Sequence, residues 1–354
     1  MASKRQLPAR KQHARVTISD VAREARVSPM TVSRVINDDA RVRQSTRDAV
    51  NAAIRDLGYL PNKAARSLAS ASQVQIGMLY DNPSSSYLSA MLLGVLEQAR
   101  RSDTQIVVVE CENEADGMRC IRNMVKTGID GILLSPPLAD AEAVLALLKE
   151  TGVQCVTIGT RRDEPNVSSV AIDDFAAARL MTEHIIRLGH RRIGFIKGSP
   201  DQLATPQRLA GYREALANAG IDYDSELVVD GRFSYRSGLA AAEELLALPD
   251  RPTAIFASND DMAAATVATA HRHHVDIPRD LTVCGFDDTL LATTIWPEIT
   301  TIHQPITAMS QAAIDLLEKR IRAVRSGQEE PRTSITLDFR FVQRASDAPP
   351  GGYR

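Results

Sequence analysis

The sequence predicts an α/β protein: a small all-α helix-turn-helix head followed by a large body of two doubly wound parallel-sheet subdomains. Three observations predict it. Residues 1–71 are basic, with 14 Lys+Arg against 6 Asp+Glu, and carry three short amphipathic helix patterns. From Gln75 short apolar runs begin to alternate with helical runs, the signature of parallel sheets covered by helices on both faces. There are ten such apolar runs, which two sheets hold more readily than one very wide sheet.

Composition narrows the class further. With 354 residues, 44% hydrophobic and 24% charged, the chain is neither globally disordered nor a fibrous rod. No apolar run reaches the roughly 18 residues of a membrane helix. The N-terminus MASKRQLPARKQHARV is basic but has no apolar stretch of the secretory kind, so a cytoplasmic protein without a membrane partner is expected. Cys111, Cys120, Cys155 and Cys284 are widely spaced and read as reduced core residues rather than a zinc site or disulfide frame. Beyond residue 71 the balance reverses to 28 Lys+Arg against 38 Asp+Glu. A basic head on an acidic body points to a polyanionic partner for the head alone. A basic tail is the bland alternative, and Lys4, Arg5, Arg10, Lys11 and Arg15 do fall in such a tail.

In the head, Thr17 precedes Ile18, Val21, Ala22 and Ala25 on one helical face, with Asp20 in the capping-box position. The second helix starts at Ser28 as N-cap with Pro29 at its first position, runs to Ile36 and stops near Asn37. Only Arg26-Val27 separates the two, a tight helix-turn-helix. The third helix is expected over Ser45–Leu57, with Asp48 completing a capping box and Gly58 as C-cap. The polar face of the second helix carries Met30, Thr31, Ser33 and Arg34. Such a helix enters a DNA major groove N-terminus first: backbone N–H groups and hydroxyls hold phosphates, and Arg34 reaches a guanine edge. A three-helix protein-interaction module is the alternative. The stretch Tyr59 to Ser70 reads as a linker or as a helix too short to persist alone.

The stretch TISDVAREARVSPMTVSRVIN…RVRQSTRDAVNAAIRDLGYLPNKAARSLA resembles the DNA-binding headpiece of the lactose/galactose-repressor family of bacterial transcriptional regulators. The resemblance implies that Pro29, Met30 and Arg34 occupy base-reading positions. Thr31, Ser33 and Asn37 fall at phosphate-contacting or helix-closing positions, and the helix-capping Thr17 and Ser28 are counted with them as DNA-binding residues. It also implies a hinge helix over 62–69 that pairs with its twin, with Asn62 and Ala64 at the DNA and Leu68 wedged into the minor groove. Two positions depart from the family: Arg26, where a left-handed turn strains a residue with a Cβ, and Pro29, which has no side-chain hydrogen bond for a base edge.

In the body, strands are expected at 75–80, 105–111, 131–136, 155–159, 168–173, 192–198, 226–231, 254–260, 281–287 and 300–305. The stretch 155–173, with no helix inside it, is expected to cross between lobes. Ligands of such sheets bind beyond the carboxyl ends of strands, where Asp81-Asn82, Asn259-Asp260 and Asp287-Asp288 follow apolar runs. Asp260 and Asp288 read better as caps of the next helix; for Asn259 and Asp287 capping and ligand binding stand level.

LGHRRIGFIKG, RLAGYREAL, AIFASNDDMAAA, LTVCGFDD and TTIHQP resemble the family's effector core, itself similar to periplasmic sugar-binding proteins. That implies effector contacts from Arg208, Phe233, Asn259 and Asp287, and from Asp81, Tyr87 and Arg161 in loops where the family varies. Gly159 departs, since many members carry Asp or Asn there. The implied domains are a disordered tail (1–15), the helix-turn-helix domain (16–61), hinge and linker (62–72), the core (73–345) and a disordered tail (346–354). Within the core, one subdomain takes 73–172 and 303–333, the other 173–302 and 334–345. The segment after Arg344 has no leucine heptads, which points to a homodimer rather than a tail-built tetramer.

No catalytic motif is present: no GxSxG, HExxH, P-loop or GxGxxG occurs. His271, His273 and His274 fit a helix end better than a metal site, and His190 a structural turn. Neighbouring carboxylates such as Asp173-Asp174 point apart. No catalytic residue, cofactor or metal is expected. The implied function is a homodimeric regulator, most simply a repressor of carbohydrate-utilisation genes. It binds a pseudo-palindromic double-stranded operator under control of a small-molecule effector, a sugar first and a purine corepressor second. A sugar-processing enzyme such as a kinase with a DNA-binding head is the alternative of a different class.

Overall fold

A computed structural model of the chain describes residues 16–36, 39, 41–57, 59, 73–161, 167–328 and 331–351. The tail 1–15, Asn37, Gly58 and the hinge with Asn62, Ala64 and Leu68 lie outside the described residues. The chain divides into two compact units, Met1–Gln73 and Val74–Arg354.

The first unit holds α1 (Ile18–Glu24), α2 (Pro29–Ile36) and α3 (Gln44–Asp56). Their apolar faces bury Val21, Ala22, Val32, Val35, Val50, Ala53 and Tyr59 in one small core. The cap on α1 forms as the sequence predicts: Thr17 donates its N–H and its hydroxyl to the Asp20 carboxylate at 2.9 and 2.7 Å. The turn after α1 is a Schellman closure, with Val27 N–H on the Ala22 carbonyl at 3.0 Å and Arg26 N–H on Arg23 at 3.3 Å. Arg26 takes the left-handed conformation that closure requires, φ +52°. Ser28 caps α2 by accepting from Thr31 N–H at 3.1 Å. The capping box expected at Ser45 and Asp48 is not formed. The helical turn already begins at Arg43, whose carbonyl accepts from Thr46 and Arg47 N–H, and Asp48 instead takes the Gln44 side-chain amide at 2.9 Å.

In the second unit all ten expected strands form: β1 (Gln75–Tyr80), β2 (Gln105–Glu110), β3 (Gly131–Leu134), β4 (Gln154–Ile158), β5 (Val167–Ala171), β6 (Ile193–Ile196), β7 (Val228–Val229), β8 (Ala254–Ala257), β9 (Thr282–Cys284) and β10 (Thr301–His303). Two further strands, β11 (Ser334–Thr336) and β12 (Arg340–Val342), join them. One sheet has the order β11-β5-β4-β3-β1-β2, a second β7-β6-β8-β9, both parallel, and β10 pairs antiparallel with β12. Helices α4 (Ser85–Ser102), α5 (Glu114–Lys126), α6 (Glu142–Thr151) and α12 (Ile306–Arg325) belong to the first lobe. The second holds α7 (Asp174–Arg187), α8 (Ala204–Asn218), α9 (Tyr235–Leu246), α10 (Asp260–Arg272) and α11 (Leu291–Thr294).

Three expectations need correction. β4 and β5 do not cross between lobes; they are parallel neighbours in the first sheet, and the crossing follows Ile172. The stretch from 334 does not open in the second lobe, because Ser334–Thr336 pairs with Ser169–Ala171 and only β12 lies with β10. The segment from 346 is not a loose tail. Ser346 donates to the Val283 carbonyl at 2.5 Å, Ala348 N–H to Thr282 at 3.0 Å, and Asp347 is bonded to His184 at 2.7 Å. Residues 352–354 lie outside the description.

Candidate functional site

On α2, Val32 and Val35 turn into the core of the first unit, which leaves the opposite face to solvent. Thr17, Ser28, Pro29, Met30 and Arg34 are exposed, Met30 at 65%, and Thr31 and Ser33 are partly covered. The end of α2 is tied by Asp39, whose N–H bonds the Arg34 carbonyl at 3.0 Å. Asp39 also gathers cations: Arg41 chelates its carboxylate, holding it down to about 2, and Arg47 donates to its carbonyl at 3.0 Å. A polar, cation-bordered helix face with its N-terminus exposed fits an anionic double helix.

In the second unit a cleft lies where the carboxyl ends of the strands of both lobes meet. The loop after β1 contributes Asn82 and Ser84, and the first turn of α4 Tyr87; the ends of β3 and β4 contribute Pro136 and Gly159. From the other lobe come Gln202 after β6, Arg208 in α8, Phe233 after β7, Asn259 after β8 and Asp287 after β9. Gln304, after β10, completes the wall. The cleft thus brings together Tyr87, Arg208, Phe233, Asn259 and Asp287. It does not include Asp81, which lines a separate chamber, or Arg161, which is exposed and lines neither. Of the pair Asp81-Asn82 that follows β1, the resemblance implies contact from Asp81, but it is Asn82 that faces the cleft. Sequence reading missed Ser84, Gln202 and Gln304, of which Gln304 carries the same signal, a polar residue just past a strand.

Arg208 is the electrostatic centre. Its Nε donates to Asp174 at 2.8 Å, its Nη1 to the Ser258 carbonyl, and Nη1 lies 3.9 Å from Asp287 Oδ1. The guanidinium stacks on Phe286 at 3.6 Å from the ring centre, with Phe233 at 5.6 Å. Among the described residues no hydrogen bond engages its Nη2. Burial pushes the Asp287 and Asp174 carboxyls up, and Arg208 pulls both back down. Gln304 donates to Asp287 at 2.6 Å. Asn259 does two things at once: Oδ1 caps α10 at Met262 N–H (3.0 Å) and Nδ2 donates to the Phe233 carbonyl (2.9 Å). Asp260 and Asp288 do not cap the next helix as the sequence suggests; Asn259 caps α10, and both carboxylates tie distant segments instead. Asp260, pushed up to about 7 by burial, ties Thr289 and Thr301, and Asp288 pairs with Arg344 at 2.5 Å and His303 at 2.9 Å.

Strain concentrates here. Phe233 and Asp287 have φ of +54° and +113°, each costing roughly 1–3 kcal/mol that the surroundings offset. The Phe233 ring lies so close over Gly198 that a Cβ there would sit 1.9 Å from it. At Gly159 (φ +76°) a Cβ would come within 2.9 Å of the Tyr87 hydroxyl. The space that a side chain at position 159 would take is therefore filled by Tyr87. Among the described residues no group of acidic, histidine or cysteine side chains is arranged to hold a metal, and no helix is long and apolar enough to cross a membrane.

Comparison with known proteins agrees with this geometry. Residues 17–62 match the model of bacterial regulatory proteins of the lacI family, and residues 182–346 that of a periplasmic binding protein-like domain. The HTH-type transcriptional repressor PurR of Photobacterium profundum is 33% identical over 307 residues, 86% of this chain and 92% of its own. A structure of the transcriptional regulator CelR in complex with cellobiose is 32% identical, with a TM-score of 0.69 over 94% of this chain and 100% of that one. The lac repressor dimer bound to operator and the anti-inducer ONPF is 27% identical, with a TM-score of 0.83 over 95% of this chain and 100% of that one. The chain therefore belongs to the lacI family of bacterial regulatory proteins, DNA-binding transcriptional repressors that respond to small-molecule effectors.

Proposed function

We propose that the chain represses carbohydrate-utilisation genes in the bacterial cytoplasm, bound to a pseudo-palindromic operator at the nucleoid and released when a sugar enters the cleft around Arg208. The observation that carries this reading is the Arg208–Asp287–Asn259 constellation beside Phe233. It sets a guanidinium, a carboxylate and an amide around a ring face at the junction of two lobes. Such a set binds vicinal hydroxyls in fork-like pairs.

The head reads DNA through Met30 and Arg34, with Pro29 beside them at a base-reading position and Thr17, Ser28, Thr31 and Ser33 at or beside the phosphates. Asn37, Asn62, Ala64 and Leu68 keep the roles that the family resemblance implies. A homodimer matches a palindrome by symmetry. The exposed apolar side chains of Leu93 and Leu96 on α4 and Val107 and Val108 on β2 support one, since a second copy would cover them. Sugar binding changes the angle between the lobes, and the segment from the hinge to Gln73 passes that change to the head. A coupling of ~1–3 kcal/mol is typical for such linkage.

The test is a gel-shift assay on DNA upstream of the chain's own gene, with mono- and disaccharides and nucleobases added in turn. Asp287→Ala is expected to retain DNA binding and lose all response to sugar. A normal dose response in that variant contradicts the assignment of the cleft. Tighter DNA binding with a nucleobase would replace the sugar by a corepressor.

A further inference from the structure

A second chamber adjoins the Arg208 cleft and shares Gln202 with it. The inner cleft has a volume of about 40 Å³; the chamber has about 480 Å³. Both lobes build the chamber. Asp140, beyond β3, reaches across to accept from Leu203 N–H in the other lobe at 3.0 Å, and its other oxygen takes the Thr160 hydroxyl at 2.6 Å. Pro137, Leu138, Pro200 and Pro206 give the chamber apolar wall. Its charged lining is of one sign: Asp81, Glu112, Glu114, Asp140, Glu142 and Asp201, with no Lys, Arg or His among the described lining residues.

The inner cleft offers no compensating cation. The charge of Arg208 is already answered by Asp174 at 2.8 Å and Asp287 at 3.9 Å. A phosphate or carboxylate brought into either space meets carboxylates and, among the described lining residues, no unanswered positive side chain. A hydroxylated, uncharged ligand meets hydrogen-bond acceptors for its O–H groups and apolar wall for its C–H faces. The chamber, at about 480 Å³, has room for a sugar ring as it stands.

From the shared wall, the volumes and the one-signed lining, we propose that the effector is a sugar of two or more units with no negative charge. One ring sits at Arg208 and Phe233, and the next occupies the chamber in front of Asp81, Asp140 and Asp201. This rests on the sugar reading above and adds to it a ligand length and a charge exclusion. It also places Asp81 among the effector contacts, although it lies outside the Arg208 cleft.

The experiment is calorimetric titration and thermal shift of the full chain against three sets of probes. These are common hexoses and pentoses, their α- and β-linked disaccharides, and the 6-phosphates and uronic acids of the best binders. The expected result is one disaccharide binding at least about tenfold more tightly than either component monosaccharide, and phosphorylation or oxidation weakening binding by about tenfold or more. Asp201→Arg, on an exposed loop residue, is expected to remove the disaccharide advantage and to narrow the penalty on the phosphorylated sugars. Equal affinity for monosaccharide and disaccharide, or a phosphosugar bound as tightly as its parent, overturns the chamber proposal and leaves the Arg208 cleft standing. If no sugar in the array binds, and Asp287→Ala behaves as wild type on DNA with every probe, both readings fall.

Discussion

The Arg208→Met variant is the sharpest test of the electrostatics in the cleft. Met keeps most of the stem that packs beside Phe286 and removes only the guanidinium. Asp174 and Asp287 then remain buried without the cation that lies 2.8 and 3.9 Å from them. Charges about 4 Å apart at an effective dielectric near 20 attract by about 4 kcal/mol. Removing one member of a buried pair costs about 3–5 kcal/mol, because the other is left uncompensated. The body is therefore expected to lose about 4 kcal/mol of stability at pH 8. Both carboxyls are already raised by burial, with Arg208 holding them down. Without it they rise further, and the folded variant holds protons that the unfolded chain has released. Stability contributed by a raised carboxyl is present at low pH and is lost as pH climbs through its folded-state value. The deficit of the variant should therefore shrink between pH 8 and pH 5. Urea denaturation of both proteins at the two pH values, followed by circular dichroism, measures this. A deficit under about 1 kcal/mol, or one that does not change with pH, refutes a charge-centred cleft.

Other expectations follow from single residues. Arg34→Ala should cost ~1–3 kcal/mol of operator affinity and relax base choice at one position per half-site, read by footprinting on a randomised operator. Arg26→Gly relieves a left-handed φ and should raise the thermal stability of the head by about 1 kcal/mol, provided the Schellman closure is as described; an unchanged or lower melting point argues otherwise. Deleting residues 345–354 removes the Asp347–His184, Ser346–Val283 and Ala348–Thr282 bonds. It should destabilise the second lobe by several kcal/mol, whereas a dispensable tail predicts no effect in the same melting experiment.

Most of the architecture was legible in the residues themselves. QIGMLY, GILL and AIFA are apolar on both faces, which only a doubly covered parallel strand explains, and each forms where the pattern puts it. β11 and β12 were not legible. They are three residues each and half-exposed, and only their distant partners Ser169–Ala171 and Thr301–His303 make them strands. The tail failed for a related reason. Ser, Asp and Ala between Arg344 and a proline pair look unstructured, yet their bonds run to residues 46 to 163 positions away. In the cleft, Asn259 and Asp287 stood out because polar groups ended apolar runs. Ser84 did not, since its partner across the lobes, Asp261 at 2.5 Å, cannot be inferred from spacing. Arg161 was carried by family likeness alone, from a loop with no constraint of its own.

The account stands or falls on whether the cleft and the DNA-reading helix share one free energy. The direct measurement is to titrate the best-binding sugar into the free protein and, separately, into the protein saturated with its operator. Linkage requires operator to weaken the sugar by the same factor by which the sugar weakens operator, a factor of about 5–150 for couplings of this kind. A sugar affinity indifferent to operator, alongside an operator affinity indifferent to sugar, would contradict it.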